Sequence, residues 1–534
     1  MFQEGNYDIT EFQIPVNGMN QFIAPDVLPS NFCYVLENII PNPVGVGQVR
    51  HGTALINNLP TNEYNIFRAF PFTTSTSVKQ GILYVSYYSQ DLAVTAIVIT
   101  NNSNFHFNSA TPNNYVVDTK IKIIYTFNAI QHTIYSDIKN VSIAVNTVTI
   151  ELEGNILQDP TVVINEIWAQ FGSIYSYNFN TDTLSAVLKN GLSIGCVPRA
   201  CYFQQVMLIC NGIDNVMQWN GAALTDLVDF VVEIGANTFI RLDNTHFTFI
   251  KTDFFDANKY FNGNLIKVRV SGVYTTLTIA NVLIIANLVT ITTVENLPAF
   301  VANQVSLFYQ DKPPAFSYIY AAKDRIWALP PGAVGLNHRS SNDKLRVYHS
   351  YLPNAISSFG LFNENTKTVP SIDMSDKHEI QDNFEAIFQV NGLMAFMGRE
   401  RTQVWGGYTP GQGGDFSWLS NLPLGILNGD LFIELANDTY FISQSGVHSF
   451  STLNIGRQFA ASSEDAVDTI VKEFGSKAIA SNSAYRQCTS FKYNQGAIVG
   501  FKIGNNKILS SLFSTKLYSW FYLSGDFSSA NCFM

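Results

Sequence analysis

The chain has 534 residues, 46% hydrophobic and only 13% charged, about half the usual charged share. A formal net charge of −10 argues against general nucleic-acid binding, which relies on Lys and Arg to neutralise phosphates, although an ordinary acidic soluble protein has the same balance. Six scattered cysteines (Cys33, Cys196, Cys201, Cys210, Cys488, Cys532) form no CxxC pair and argue against a metal ribbon or a small disulfide scaffold, so reduced thiols and synthesis in a cytoplasm are expected. The 40 Phe and 25 Tyr, with recurrent Ile, Val and Thr, favour pleated, half-buried surfaces, which predicts an all-β chain with a large core. So little charge also suits an assembly whose contacts cover surface that a monomer would have to solvate.

Residues 1–55 are irregular and spaced by Pro15, Pro25, Pro29, Pro41 and Pro43. Proline fixes φ and removes a backbone donor, so this segment reads as an extended N-terminal arm laid along the body or along a partner. Residues 1–12 carry acids and no apolar run, which predicts no signal peptide. The longest apolar stretches, such as 282–286, are too short to span a bilayer.

Strands are predicted from Phe67 onward, around 67–70, 81–85 and 92–99. An internal repeat follows. Tyr115, Ile121-Lys122-Ile123 and Asn146-Thr147-Val148-Thr149-Ile150 match Tyr260, Ile266-Lys267-Val268 and Asn287-Leu288-Val289-Thr290-Ile291, at an offset of about 141 to 145 residues. Phe105 and Phe107 match Phe247 and Phe249. This predicts two related small β domains, 102–170 and 238–310, inserted into a larger body made of 56–101, 171–237 and 311–534.

The body repeats one grammar: short strands joined by Asn-Gly, Asn-Asp or Ser-Gly turns, the strongest local signal for hairpins. The clearest case is 384–452. There Ala386-Ile387-Phe388-Gln389-Val390 turns at Asn391-Gly392 into Leu393-Met394-Ala395-Phe396-Met397-Gly398, and Val404-Trp405-Gly406-Gly407 follows before a Gly-rich link. Similar units begin near Phe203, Tyr318 and Cys488. Radial repetition protects the edges of many short strands, so the prediction is a β-propeller of five to seven blades. One helix is expected at 462–474, with Ser462 and Asp465 in a capping pattern, Val467, Ile470, Val471 and Phe474 on one face, and Gly475 as the stop.

Motifs for chemistry are sparse. Asp214 and Asp226 flank Trp219, but a turn role suits Asp214 better than catalysis, because paired carboxylates must face each other across a sugar. The eight histidines form no HExxH or short His/Cys cluster, His378-Glu379 reads as surface, and Gly45-Val46-Gly47 lacks the third glycine and helix of a phosphate loop. The reading is a protein that is not an enzyme, with no catalytic, cofactor-binding or metal residues and no cofactor.

Gly18-Met19-Asn20, Leu36-Glu37-Asn38, Val49-Arg50-His51-Gly52 and Arg325-Ile326-Trp327-Ala328-Leu329 join a longer match over 392–450. That match includes Gly398, Arg399, Val404-Trp405-Gly406-Gly407, Gly425, Gly429 and Gly446-Val447. Together they resemble the nozzle or hub proteins of short-tailed bacteriophage tails, the group also described as packaged-DNA stabilisation proteins. The resemblance implies a structural virion protein made in the host bacterial cytoplasm: a homohexameric ring of propeller subunits under the portal adaptor ring. Tail fibre, spike or needle proteins would lie below or beside it, and genomic DNA would be retained and then conducted through its channel without specific binding. Other readings of the sequence are a carbohydrate-binding or carbohydrate-cleaving propeller for receptor recognition, and a cellular propeller scaffold.

Overall fold

The computed structural model describes residues 39–41, 47–49, 65–74, 76–117, 119–153, 162–194, 197–233, 236–299, 305–331, 345–352, 370–377, 382–411, 413–435, 438–444, 446–450, 489–493, 498–502, 508–512 and 519–523. Most of the expected arm at 1–55 and the helix expected at 462–474 lie outside these residues. The described elements are β-strands and short 3-10 turns, so the chain is all-β as its composition predicts.

The chain divides into two compact units. In the first, comprising 1–197, 378–407 and 416–534, Ala386–Val390, Leu393–Met397, Thr402–Gly406 and Ser417–Leu422 form one antiparallel meander. Phe432–Leu435, Asp438–Ser443 and Gly446–Ser449 form a second, and Thr489–Tyr493, Ile498–Lys502, Ile508–Leu512 and Ser519–Leu523 a third. The Asn391-Gly392 turn has φ of 49° and 77°, the left-handed pair that matches the twist of a two-residue hairpin. In the second unit, comprising 198–377 and 408–415, Arg199–Phe203, Val206–Cys210, Met217–Trp219 and Leu224–Asp226 form one meander. Phe316–Ala322, Arg325–Pro331, Arg346–His349 and Ser371–Asp373 form another.

Each unit also holds a six-strand module, and the two have the same strand order. In the first unit it runs Val163–Asn178, Lys120–Phe127, Ile130–Ala144, Thr147–Leu152, Asn104–Asn108, Thr95–Ile99. In the second it runs Val305–Asp311, Leu265–Val270, Val273–Ile285, Leu288–Thr293, His246–Lys251, Ala236–Arg241. The irregularities coincide as well. A bulge at Ile138/Asn140 matches one at Ile279/Asn281, and another at Thr95/Val98 matches Asn237/Ile240. Beside the second pair of bulges, Ala96 and Thr238 have φ of 52° and 55°. A bulge bends its strand and increases its twist, so Ile130–Ala144 and Val273–Ile285 each pair on one side before the bend and on the other side after it.

The chain reaches and leaves each module as an antiparallel pair. Gln90 lies opposite Trp168 in the first, and Asp229 lies opposite Asp311 in the second. The repeated phenylalanines point inward: Phe105, Phe107, Phe247 and Phe249 are all buried in their module cores. Period-two alternation explains this, because inward positions carry Ile, Val and Phe while their neighbours face out.

Candidate functional site

Just before the 384–452 stretch, the carboxylate of Asp382 gathers four backbone donors. Its Oδ1 accepts from the backbone N–H of Asn383 (2.7 Å) and Arg399 (3.0 Å), and its Oδ2 from those of Glu400 (3.0 Å) and Arg401 (3.3 Å). The 398–401 turn therefore closes around one carboxylate. A Cβ on Gly398 would overlap that carboxylate, and a Cβ on Gly425 would overlap the backbone of Gly398 and Arg399. Both glycines are required by close approach rather than by φ. The turn also brings Arg399 Nε to 3.1 Å from Oε1 of Glu385, which is fully buried. Trp405 donates Nε1–H to Gln403 at 3.0 Å and stacks on Phe416 at 5.3 Å between ring centroids. These groups bind one another and the backbone, so the arrangement fixes a turn.

A second convergence occurs once in each module. The Tyr115 hydroxyl donates to Asp91 Oδ2 at 2.9 Å, and the Tyr260 hydroxyl donates to Glu233 Oε2 at 3.0 Å. Burial, then the adjacent carboxylate, pushes both phenols far above their ordinary range, so both remain neutral donors. Burial and the nearby Asp311 and Glu233 push Tyr309 up to about 12. The backbone N–H groups of the two acids bond to Ile167 (3.0 Å) and Leu307 (2.7 Å) across the module necks. The sequence reading picked out both tyrosines but missed their acids. The signal was present, since Asp91 and Glu233 stand at the same offset as Phe105 and Phe247. An Asp in one copy and a Glu in the other hid it from matching by identity.

The other sequence candidates have local partners. Asn211 accepts through Oδ1 from the backbone N–H of Ile213 and Asp214, and donates through Nδ2 to Asp214, the turn arrangement expected there. Asp226 pairs with Lys312 at 3.1 Å. His349 is buried beside Trp327, and desolvation, reinforced by Arg325, lowers it to about 4. Burial, with Cys210 adding to it, pushes the Cys201 thiol up, so it stays protonated and poorly nucleophilic. His378-Glu379 lies outside the described residues. Among the described residues no group of three His, Cys, Asp or Glu is placed to hold a metal ion, and no helix is long and apolar enough to cross a membrane.

No family model matches the chain, and no curated protein matches it. Among solved structures it is similar to an extracellular domain of a one component system from B. thetaiotaomicron, at 10% identity and a TM-score of 0.17, covering 87% of this chain and 60% of that one. The chain thus spans less than two thirds of that structure's length, and a likeness this slight carries no argument about fold or function.

Proposed function

We propose that the protein is a structural subunit of a short-tailed bacteriophage tail, built as a β-propeller that assembles into the nozzle or hub ring. The ring would be a homohexamer below the portal adaptor, holding the packaged genome and then conducting it, with fibre, spike or needle proteins attached below or beside it. The observation that carries the reading is the set of antiparallel meanders of three or four strands taken in chain order, the unit from which propeller blades are made. The glycines in the stretch that resembles tail nozzles add support: Gly398 and Gly425 sit where a side chain would break a turn. Low charge favours extensive subunit burial. The net acidity suits DNA that slides past without adhering, an effect confined to about 8 Å at physiological salt.

Native mass spectrometry of the purified chain, alone and with candidate adaptor rings, tests this. A ring that binds an adaptor is the expected result. A stable monomer that ignores every ring partner and cleaves a glycan would overturn it.

A further inference from the structure

Each module is joined to its own unit through a pair of antiparallel neck strands, an attachment that ordinarily lets a domain swing. One strand of each pair continues into the module. Val163–Asn178 pairs with Lys79–Gln90 of the neck and with Lys120–Phe127 of the module, and the two pairings overlap only at Trp168 and Ala169. Val305–Asp311 pairs with Asp229–Val232 and with Leu265–Val270, and there the overlap is Phe308 and Tyr309. A hinge would lie at these overlaps.

Side chains cross both overlaps on both faces of the sheet. On the inner face Tyr115 reaches Asp91, and Tyr260 reaches Glu233. The outer face is bridged as well. Ile121 and Ile123, like Ile266 and Val268, lie in the module cores, so Lys122 and Lys267 between them face outward. Lys122 stands between its cross-strand partners Trp168 and Tyr135, with Nζ 4.3 Å from the indole centroid. The Tyr135 ring leans across to meet Tyr88 of the neck strand at 5.3 Å between centroids, and Lys122 is only 6% exposed. In the second module Lys267 Nζ lies 4.2 Å from the ring centroid of Phe230, which is also on the neck strand. Tyr88 and Phe230 hold the same place: they lie opposite Gln170 and Gln310, whose Oε1 atoms accept from the backbone N–H of Lys120 (2.8 Å) and Leu265 (3.0 Å). Each neck strand thus offers an aromatic ring at one position, met by a tyrosine from one module and a lysine from the other. The bridge persists while the residue that makes it changes from ring-on-ring to cation–π contact. It is the bridging itself, rather than an inherited side chain, that the two junctions have in common.

We infer that each junction is a two-sided clamp, a conformational device that suppresses hinge motion and holds its module at one angle to its neck. A clamped module presents its far end at a fixed position, which a merely tethered one cannot do. The inference stands on the comparison of the two junctions and is independent of the tail reading.

Electron–electron spin resonance on the full chain tests it, with spin labels carried by non-canonical amino acids so that the six cysteines stay unmodified. Labels at Asn180, beyond the body end of the neck, and at Val145, at a module turn, should give one distance peak no broader than a pair within the module, Gln131 and Val145. Tyr135→Thr opens the outer face, using the residue that the second module has at that place, Thr276, which guards against misfolding. Tyr115→Phe opens the inner face. The two together should broaden the Asn180–Val145 peak at least about twofold while the Gln131–Val145 peak stays narrow. Thr133→Ala, on the same strand as Tyr135, should change neither. Lys267→Met with Tyr260→Phe, read between Ala222 and Ala286, should broaden the second module's peak in the same way. A broad Asn180–Val145 peak in the unmodified chain would overturn the inference, and so would a double variant that keeps the unmodified width. If the double variant broadens the internal pair as well, the module's own fold has loosened, and the unmodified chain and the second module decide.

Discussion

The hydroxyl of Tyr260 lies 3.0 Å from Oε2 of Glu233, 27 residues earlier in the chain, and both groups are buried. The bond joins the turn after Ala257–Lys259 to the point where the chain comes into the module. Tyr115 and Asp91 repeat it in the other module. Removing the hydroxyl takes a donor from a buried carboxylate, which costs about 1 to 3 kcal/mol. Tyr260→Phe is therefore expected to lower stability by that amount in urea denaturation. Tyr115→Phe should act in the same direction but less strongly, because Asp91 is only partly buried and keeps the Ser109 hydroxyl as a donor, and the double variant should lose close to the sum.

The same bonds set an alkaline limit. The folded-state pKa values of Tyr115 and Tyr260 lie above their unfolded value of 10.0, so their contribution is complete below that pH and is lost as pH rises toward the folded values. Ultraviolet titration of tyrosinate should show these two phenols ionising only together with unfolding, and the Tyr→Phe variants should flatten the loss of stability above pH 10. Ionisation of every tyrosine before unfolding would contradict this.

His349 sets an acid limit. Its folded-state pKa of about 4 lies below the unfolded value of 6.5, so the unfolded chain binds more protons between them. The stabilisation is complete above the unfolded value and is lost as pH falls through that window, on the order of 3 kcal/mol in all. His349→Gln, which does not titrate, should flatten the stability profile between those two values, as followed by thermal melting.

The turn around Asp382 predicts sharp sensitivity. Gly398→Ala forces a methyl group into the carboxylate and should cost about 2 to 3 kcal/mol. Arg399→Met takes the guanidinium from fully buried Glu385 and should cost about 3 to 5 kcal/mol, whereas Arg399→Met with Glu385→Leu should recover much of that loss. Chemical denaturation of the unmodified chain, Arg399→Met, Glu385→Leu and the double variant completes the cycle.

What the sequence revealed depended on whether the deciding interaction was local. The Asn391-Gly392 hairpin was legible because its turn chemistry lies within two residues. The module repeat was legible because inward positions tolerate few residue types, so Phe105 and Phe247 stayed alike. Strand Ser417–Leu422, which follows the Gly-rich link, was not read as a strand: it shows no clean alternation and gains its place by pairing with Thr402–Gly406. Strand Thr95–Ile99, read as part of the preceding body, pairs with Asn104–Asn108 inside the module. The acid partners of the tyrosines and the role of Asp382 were hidden, since each depends on a contact made across some 17 or more residues.

The paired necks carry a mechanical consequence. Because the chain arrives and leaves each module side by side, in antiparallel pairs whose body-side ends are Gln80 opposite Asn178 and Asp229 opposite Asp311, tension along the body pulls on the same end of both neck strands and opens them like a zipper. The module beyond is tied off like a closed loop of rope and carries no load until those hydrogen bonds fail. A chain stretched at its ends would therefore open each neck from its outer end, one hydrogen bond at a time, before the module beyond it bears load.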